Sequence, residues 1–92
     1  MAYVFAQSGD RALARFFFSQ GLTALEDPAT GSAAANFGAW WLAMGRSVPM
    51  RILISQGEHT GRPSLLHLQV DAERRIFVSG EVLQLGRGAL QL

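Results

Sequence analysis

Three residues between positions 27 and 32 carry groups that could bind and transform a small anion. Asp27 precedes a proline, and this pair is typical of a helix start, because aspartate accepts from free amide groups and proline suits the first helical position. Gly31 and Ser32 would then lie at or just before the first turn, where N–H groups are unpaired and the helix dipole is positive. A carboxylate or developing oxyanion would be stabilised there, and glycine would let it approach the backbone. Asp27 could hydrogen-bond a substrate amine or hydroxyl, or act as an acid or base.

Each of these residues also has a purely structural interpretation. Asp27 could only cap the helix, and Gly31 could only shape a turn. Thr30 and Ser32 are alternative caps, so the position of the first turn is open by a few residues. Glu26 could be a second acid or base beside Asp27, because paired carboxylates can divide these roles, but a structural hydrogen bond to loop amides is the simpler interpretation.

The helix that must position these groups is predicted from about residue 29 to 44. Gly45 is placed to end it in a left-handed conformation. The helix has almost no polar face, and a helix that is apolar on every side is typically buried. At about 14 residues it is too short to cross a bilayer, which takes about 20 apolar residues. We therefore expect a helix at the centre of the domain, with its amino end open towards a ligand.

Hydrophobic patterning predicts strands on both sides of this helix, and residues 20–23 are expected to form a loop that leads to it. The three phenylalanines at positions 16 to 18 are expected to pack against the central helix. Gly80 interrupts the last strand and indicates a bulge or a close backbone approach. The predicted strands span residues 3–7, 12–19, 50–54, 64–70 and 75–85.

Composition and charge narrow the classes of function. Ninety-two residues make one small domain, and 49% of them are hydrophobic, which favours self-association. The eight basic residues are all arginines and are scattered among seven acids, with a net charge of +1, so we expect no nucleic-acid partner.

The absence of cysteine excludes disulfides and thiol chemistry. His59 and His67 do not make a set of three or four ligands, so we expect no metal and surface positions for both. The chain starts without a signal-peptide pattern, which predicts a cytoplasmic protein with no membrane partner.

Three motifs follow one another along the chain: Glu26-Asp27-Pro28-Ala29-Thr30-Gly31-Ser32-Ala33, then Gln56-Gly57 with Gly61-Arg62-Pro63-Ser64, then Val78-Ser79-Gly80-Glu81-Val82. In their residues and their order they resemble the carboxyl-terminal part of the PhzF-like (phenazine biosynthesis-like) isomerase family. The resemblance extends from about residue 3 to 90. It implies a diaminopimelate-epimerase-like α+β fold, in which two pseudo-symmetric lobes each wrap mixed and antiparallel strands around one central helix and the active site lies between them.

The resemblance also implies roles for individual residues. Asp27 matches the aspartate that contacts substrate and is the expected catalytic residue, while Gly31 and Ser32 match the Gly-Ser pair at the helix start and, with Thr30, are the expected substrate-binding residues. The family's principal proton-transfer residue is a glutamate of the amino-terminal lobe, for which residues 1–92 contain no counterpart. These residues are therefore interpreted as a single domain equivalent to most of the carboxyl-terminal lobe.

Two classes of function follow from this interpretation. The first is cofactor-independent proton transfer on a small carboxylate-bearing metabolite, with a second lobe supplied by a homodimer or a separate chain. The alternative is a non-catalytic carboxylate-binding protein, or a truncated dimeric protein, that lacks the catalytic glutamate.

Overall fold

An α+β structure is formed by the residues that the computed structural model describes, 1–81 and 84–91. Within these residues no helix is both long enough and apolar enough to cross a membrane. A short 3-10 helix, Glu58–Thr60, follows the fourth strand. The elements in chain order are β1 (Ala2–Ser8), β2 (Arg11–Gln20), β3 (Thr23–Asp27), α1 (Gly31–Ala43), β4 (Met50–Gln56), β5 (Ser64–Val70) and β6 (Ile76–Gly80).

All six strands belong to one mixed sheet, with the order β1-β2-β4-β5-β6. Strand β2 pairs antiparallel with β1 along one edge. Two strands share its other edge, because residues 11–14 pair in parallel with the end of β4 and residues 16–20 pair antiparallel with β3. Gln56 lies opposite Ala14, and Asp27 lies opposite Phe16, only two positions further along β2. The carboxyl ends of β3 and β4 therefore meet beside β2.

The core lies between α1 and one face of this sheet. Alternate residues of β4 and β5 are buried there, as period-two side-chain direction requires. From the helix, Ala34 and Phe37 enter the same core, and the Phe37 ring lies 4.0 Å from that of Phe5 on β1, centroid to centroid. Tyr3 also lies beside Phe5, and burial raises the pKa of the Tyr3 phenol to about 12.

The prediction of a central helix buried on all sides is wrong for the described residues. The sheet covers only one side of α1, where Ala33, Ala34, Phe37 and Gly38 are buried, while Trp40 is 36% exposed. The apolar composition of α1 indicates that all of its sides would be more stable when buried. It does not determine whether the described residues contain enough strands to cover them. Other features of the helix are confirmed, since α1 lies within residues 29–44, Thr30 is its N-cap, and Gly45 has a φ of +67°.

The strand predictions are confirmed for β1, β2, β4 and β5, with bounds that differ by at most two residues. The loop expected at residues 20–23 is present as a turn at residues 21–22, but the strand β3 that follows it and pairs with β2 was not predicted. The last strand begins at Ile76, one residue after the predicted start, and ends at Gly80 rather than at residue 85; Val82 and Leu83 lie outside the described residues, and residues 84–91 contain no helix or strand. The phenylalanines at 16 to 18 are half-buried on β2 rather than part of the core beneath α1.

Candidate functional site

The first part of the site is a hydrogen-bonded junction where β3, β4 and α1 meet. The Gln56 side chain, at the end of β4, donates from Nε2 to the Asp27 carbonyl oxygen (2.8 Å) and to Thr30 Oγ1 (2.9 Å). Its Oε1 accepts from the Thr30 N–H (3.3 Å). The Thr30 hydroxyl in turn donates to Asp27 Oδ2 (2.7 Å). Gln56 and Thr30 are both buried, so these bonds hold the segment before the helix in one position.

Gly57 allows a second loop, residues 57–62, to pack closely against this junction. Its φ is +89°, and a Cβ atom at this position would lie 2.3 Å from the Arg62 carbonyl oxygen and 2.7 Å from that of Pro28. The Gly57 carbonyl oxygen accepts from Thr60 Oγ1 (2.8 Å) and from the Arg62 N–H (3.0 Å). Only glycine combines this left-handed conformation with so close an approach of two backbone segments. The loop therefore delivers the start of β5 to a fixed place beside the amino end of α1.

The amino end of α1 is open. The first helical hydrogen bond runs from the Ala34 N–H to the Thr30 carbonyl oxygen (3.1 Å), so the N–H groups of Gly31 and Ser32 precede it and have no intrahelical partner. The Thr30 side chain makes no capping hydrogen bond to the helix; its hydroxyl donates to Asp27 Oδ2 and accepts from Gln56 Nε2. Gly31 and Ser32 are exposed, and a Cβ at Gly31 would meet nothing within 4 Å. Unpaired amides and the positive end of the helix dipole therefore face accessible space.

A cavity of about 510 Å³ lies at this helix end and unites the three sequence motifs. We call it the helix-end cavity. Ala29 and Gly31 come from the first motif, Pro63 and Ser64 from the second, and residues 78–81 from the third, with Leu65 and Leu66 of β5 completing the wall. The lining therefore includes polar residues, Ser64 at the start of β5 and Glu81 after β6, beside the open amide of Gly31. Such a site can bind a small anion that also carries a hydrogen-bond donor.

The structure separates the predicted site residues into two groups. Gly31 lines the helix-end cavity, whereas Ser32 is exposed beside it. Thr30 is buried and its hydroxyl donates to the half-buried Asp27, and neither residue belongs to the lining of the cavity. The remaining polar contact of Asp27 is a long one, in which the Ala29 N–H donates to Oδ1 (3.5 Å).

Glu26 has a different partner from the expected loop amides. Its Oε1 forms an ion pair with Arg15 Nε on β2, and its Oε2 is buried without a hydrogen bond within the described part of the chain. His59 and His67 are exposed, as predicted. In residues 1–81 and 84–91, no three or more histidine, aspartate or glutamate side chains are grouped as a metal ion would require.

Sequence reasoning assigned no role to Gln56, Ser64, Ser79 or Glu81, which form much of the site. The available signal was their position inside the second and third motifs. Gln56 bonds to residues 26 and 29 positions away along the chain, so only the meeting of β3 and β4 reveals its partners.

Comparison with known proteins shows which family the chain belongs to. A family model described as "Phenazine biosynthesis-like protein" matches residues 1–88. The chain belongs to this family. It is also similar to a curated protein of Pasteurella multocida (strain Pm70) that is named an uncharacterized isomerase, with 41% identity over 88 residues. The match covers 96% of this chain but 30% of that relative, so the chain spans under a third of the relative's length. The resemblance inferred from the three motifs is thereby confirmed.

Proposed function

We propose that the chain is the substrate-binding lobe of a cofactor-independent isomerase that moves a proton on a small carboxylate-bearing metabolite. The observation that carries this proposal is the helix-end cavity, in which all three family motifs meet around unpaired amides. The isomerase name of the Pasteurella multocida relative supports the class of reaction. The proposal includes a biosynthetic role in the cytoplasm.

The proposed chemistry assigns each group a task. The substrate carboxylate, or an enolate-like oxygen formed during proton transfer, accepts hydrogen bonds from the Gly31 and Ser32 N–H groups. These donors are fixed before substrate arrives, because Gln56 and Thr30 hold the preceding segment. Thr30 orients the Asp27 carboxylate through Oδ2 and leaves Oδ1 with one long contact, so Oδ1 is the atom that would orient substrate or exchange a proton.

The proposal requires a second lobe to close the site. We propose a diaminopimelate-epimerase-like arrangement, in which another copy of this chain or a separate polypeptide faces the amino end of α1 and supplies the remaining proton-transfer group. Trp40 on the uncovered side of α1 and Met44 just beyond its end are exposed, which supports further coverage of this lobe. A homodimer would have a solution mass of about twice 10.0 kDa by light scattering.

A second candidate function is carboxylate binding without catalysis. The observation that favours it is the position of the Asp27 carboxylate, which is engaged by Thr30 and does not line the cavity. In this case the amides of α1 bind the anion and no proton is exchanged.

Solvent deuterium uptake distinguishes these two functions. The chain, at a concentration where its solution mass has been measured, is incubated in deuterium oxide with a panel of small α-amino and α-hydroxy carboxylates. We expect deuterium at the α-carbon of a substrate, and a rate lowered about 100-fold or more in Asp27→Asn, because a general acid or base contributes at least that factor.

Glu26→Gln is the matched control, since it removes a neighbouring carboxylate that pairs with Arg15 outside the cavity. It should leave the uptake rate unchanged. Carboxylate binding with no uptake by the dimer would overturn the isomerase proposal and establish the second candidate. Equal loss in Asp27→Asn and Glu26→Gln would exclude a specific role for Asp27.

A further inference from the structure

The sheet face opposite α1 brings together basic side chains that are far apart in the sequence. Arg11 on β2 is the register partner of Leu53 on β4, Leu53 is the partner of His67 on β5, and His67 is the partner of Ser79 on β6. Each of these four residues neighbours core-facing positions along its strand, so their side chains lie on the open face. Together they form a straight row across four strands.

Arg51 adds a second guanidinium to this row. It lies two positions before Leu53 on β4 and therefore projects from the same face. Residues opposite each other in neighbouring strands are about 5 Å apart and diagonal neighbours about 7–8 Å apart, so Arg11, Arg51 and His67 surround Leu53 within reach of one small molecule. The sequence shows no basic cluster, and the pairing of β2 with β4 creates this one.

These residues line a depression of about 630 Å³, which we call the open-face cavity. Within the described residues, neither Arg11 nor Arg51 forms an ion pair, in contrast to Arg15 and Arg75. The carboxylates of Asp10 and Glu81 also line the cavity, but neither lies within salt-bridge distance of these arginines. The Asp10 carbonyl oxygen accepts from the Leu53 N–H (2.9 Å), which fixes the turn that leads to Arg11 against β4.

We propose that the open-face cavity is a binding site for a small oxyanion, a phosphate monoester or a dicarboxylate, distinct from the helix-end cavity. Two guanidinium groups match the geometry of phosphate or carboxylate oxygens, and His67, Gln69 and Ser79 supply further hydrogen-bond donors around them. A second copy packed face to face would bring these arginines close to one another, which disfavours that occupant. Asp10 and Glu81, which also line the cavity, disfavour an anion close to their carboxylates, so we place the ligand between Arg11, Arg51 and His67.

Amide chemical shifts of the complete chain test this proposal with inorganic phosphate and with succinate as probes, at constant ionic strength. We expect saturable shifts at Leu53, His67 and Gln69, which line the open-face cavity and not the helix-end cavity, for at least one probe. The double variant Arg11→Gln/Arg51→Gln should weaken this binding about tenfold or more, because both charged hydrogen-bond donors are lost. The stronger of the two probes identifies the class of oxyanion.

Arg74→Gln/Arg87→Gln is the control that removes the same charge from exposed positions outside the cavity. It should bind both probes as the original chain does. Equal weakening in both double variants, or shifts that chloride reproduces at the same ionic strength, would overturn the proposal.

A lower solution mass in Arg11→Gln/Arg51→Gln alone would also overturn the proposal, because the open face would then be an interface between copies. Shifts confined to Gly31 and Ser32 would place the anion at the helix-end cavity instead, so this proposal can fail while the proposed function stands.

Discussion

Gln56 is the side chain that connects the strand ends to the start of the helix. It is 1% exposed, and all three of its hydrogen bonds reach the segment between Asp27 and Thr30. A glutamine can serve here because it both donates and accepts, which a carboxylate or a hydroxyl cannot do with the same geometry. The position of the open amides at Gly31 and Ser32 therefore depends on an amide side chain that belongs to a different motif.

Replacement of Gln56 by alanine should lower the free energy of unfolding by about 3 kcal/mol, because three buried hydrogen bonds of about 1 kcal/mol each are lost. Urea unfolding followed by circular dichroism measures this change. Gln20→Ala removes an exposed glutamine at the end of β2 and should change the free energy by less than about 0.5 kcal/mol. Equal stability of the two variants would show that the Gln56 network does not hold the junction.

Among single residues, the sequence predicted those whose chemistry is local. Asp27, Thr30 and Gly31 lie within five positions of one another, so the residue types typical of a helix start identify them without knowledge of the fold. Glu81 and Ser79 could not be assigned in the same way. Their place in the helix-end cavity depends on the pairing of β5 with β6 and on the packing of α1 against both strands.

Two neighbouring glycines show how the loop after β4 is built. Gly57 and Gly61 both have positive φ, +89° and +75°, but only Gly57 has backbone atoms within 3.0 Å of the position that a Cβ would occupy. Substitutions at these two glycines therefore distinguish the cost of a left-handed backbone conformation from the cost of a steric clash.

Gly61→Ala should cost about 1 kcal/mol, because an L-residue in the left-handed region carries about that penalty. Gly57→Ala adds a clash with two carbonyl oxygens and should cost about 4 kcal/mol or more, since neither backbone segment is free to withdraw. Thermal unfolding of the two variants checks this ordering. Similar melting temperatures would contradict the close approach of Arg62 and Pro28 at Gly57.

Strands were predicted correctly from the sequence where their own hydrophobic pattern determines the structure. In β5, Leu66, Leu68 and Val70 alternate with polar residues, and this alternation predicts a half-buried strand directly. Strand β3 was missed because residues 23–27 contain only Ala24 and Leu25 as apolar residues, so their pairing with β2 is set by the hairpin rather than by patterning.

For the molecule as a whole, apolar side chains remain uncovered on both layers. Met44 is 62% exposed beyond the end of α1, and on the open face of the sheet Val4, Leu13, Leu65 and Phe77 are each at least half exposed. The Pasteurella multocida relative is more than three times as long as the matched segment. We interpret the uncovered side of α1 as the place where the proposed second lobe packs, while the open face of the sheet carries the open-face cavity.

The helix-end cavity is the feature on which the proposed function depends, and a titration of the folded chain tests it most directly. The amide shifts of Gly31 and Ser32 are followed while small carboxylates are added. Gly31→Val places a side chain in open space at the helix start, so it should fold normally and block the anion. Gly86→Val adds the same side chain at another position that has nothing within 4 Å and serves as the control. We predict saturable shifts at Gly31 and Ser32 that persist in Gly86→Val, whereas the Ser32 shift and carboxylate binding are lost in Gly31→Val. Unchanged binding in Gly31→Val, or no carboxylate that shifts these amides, would contradict the proposal that the open helix end is the substrate site.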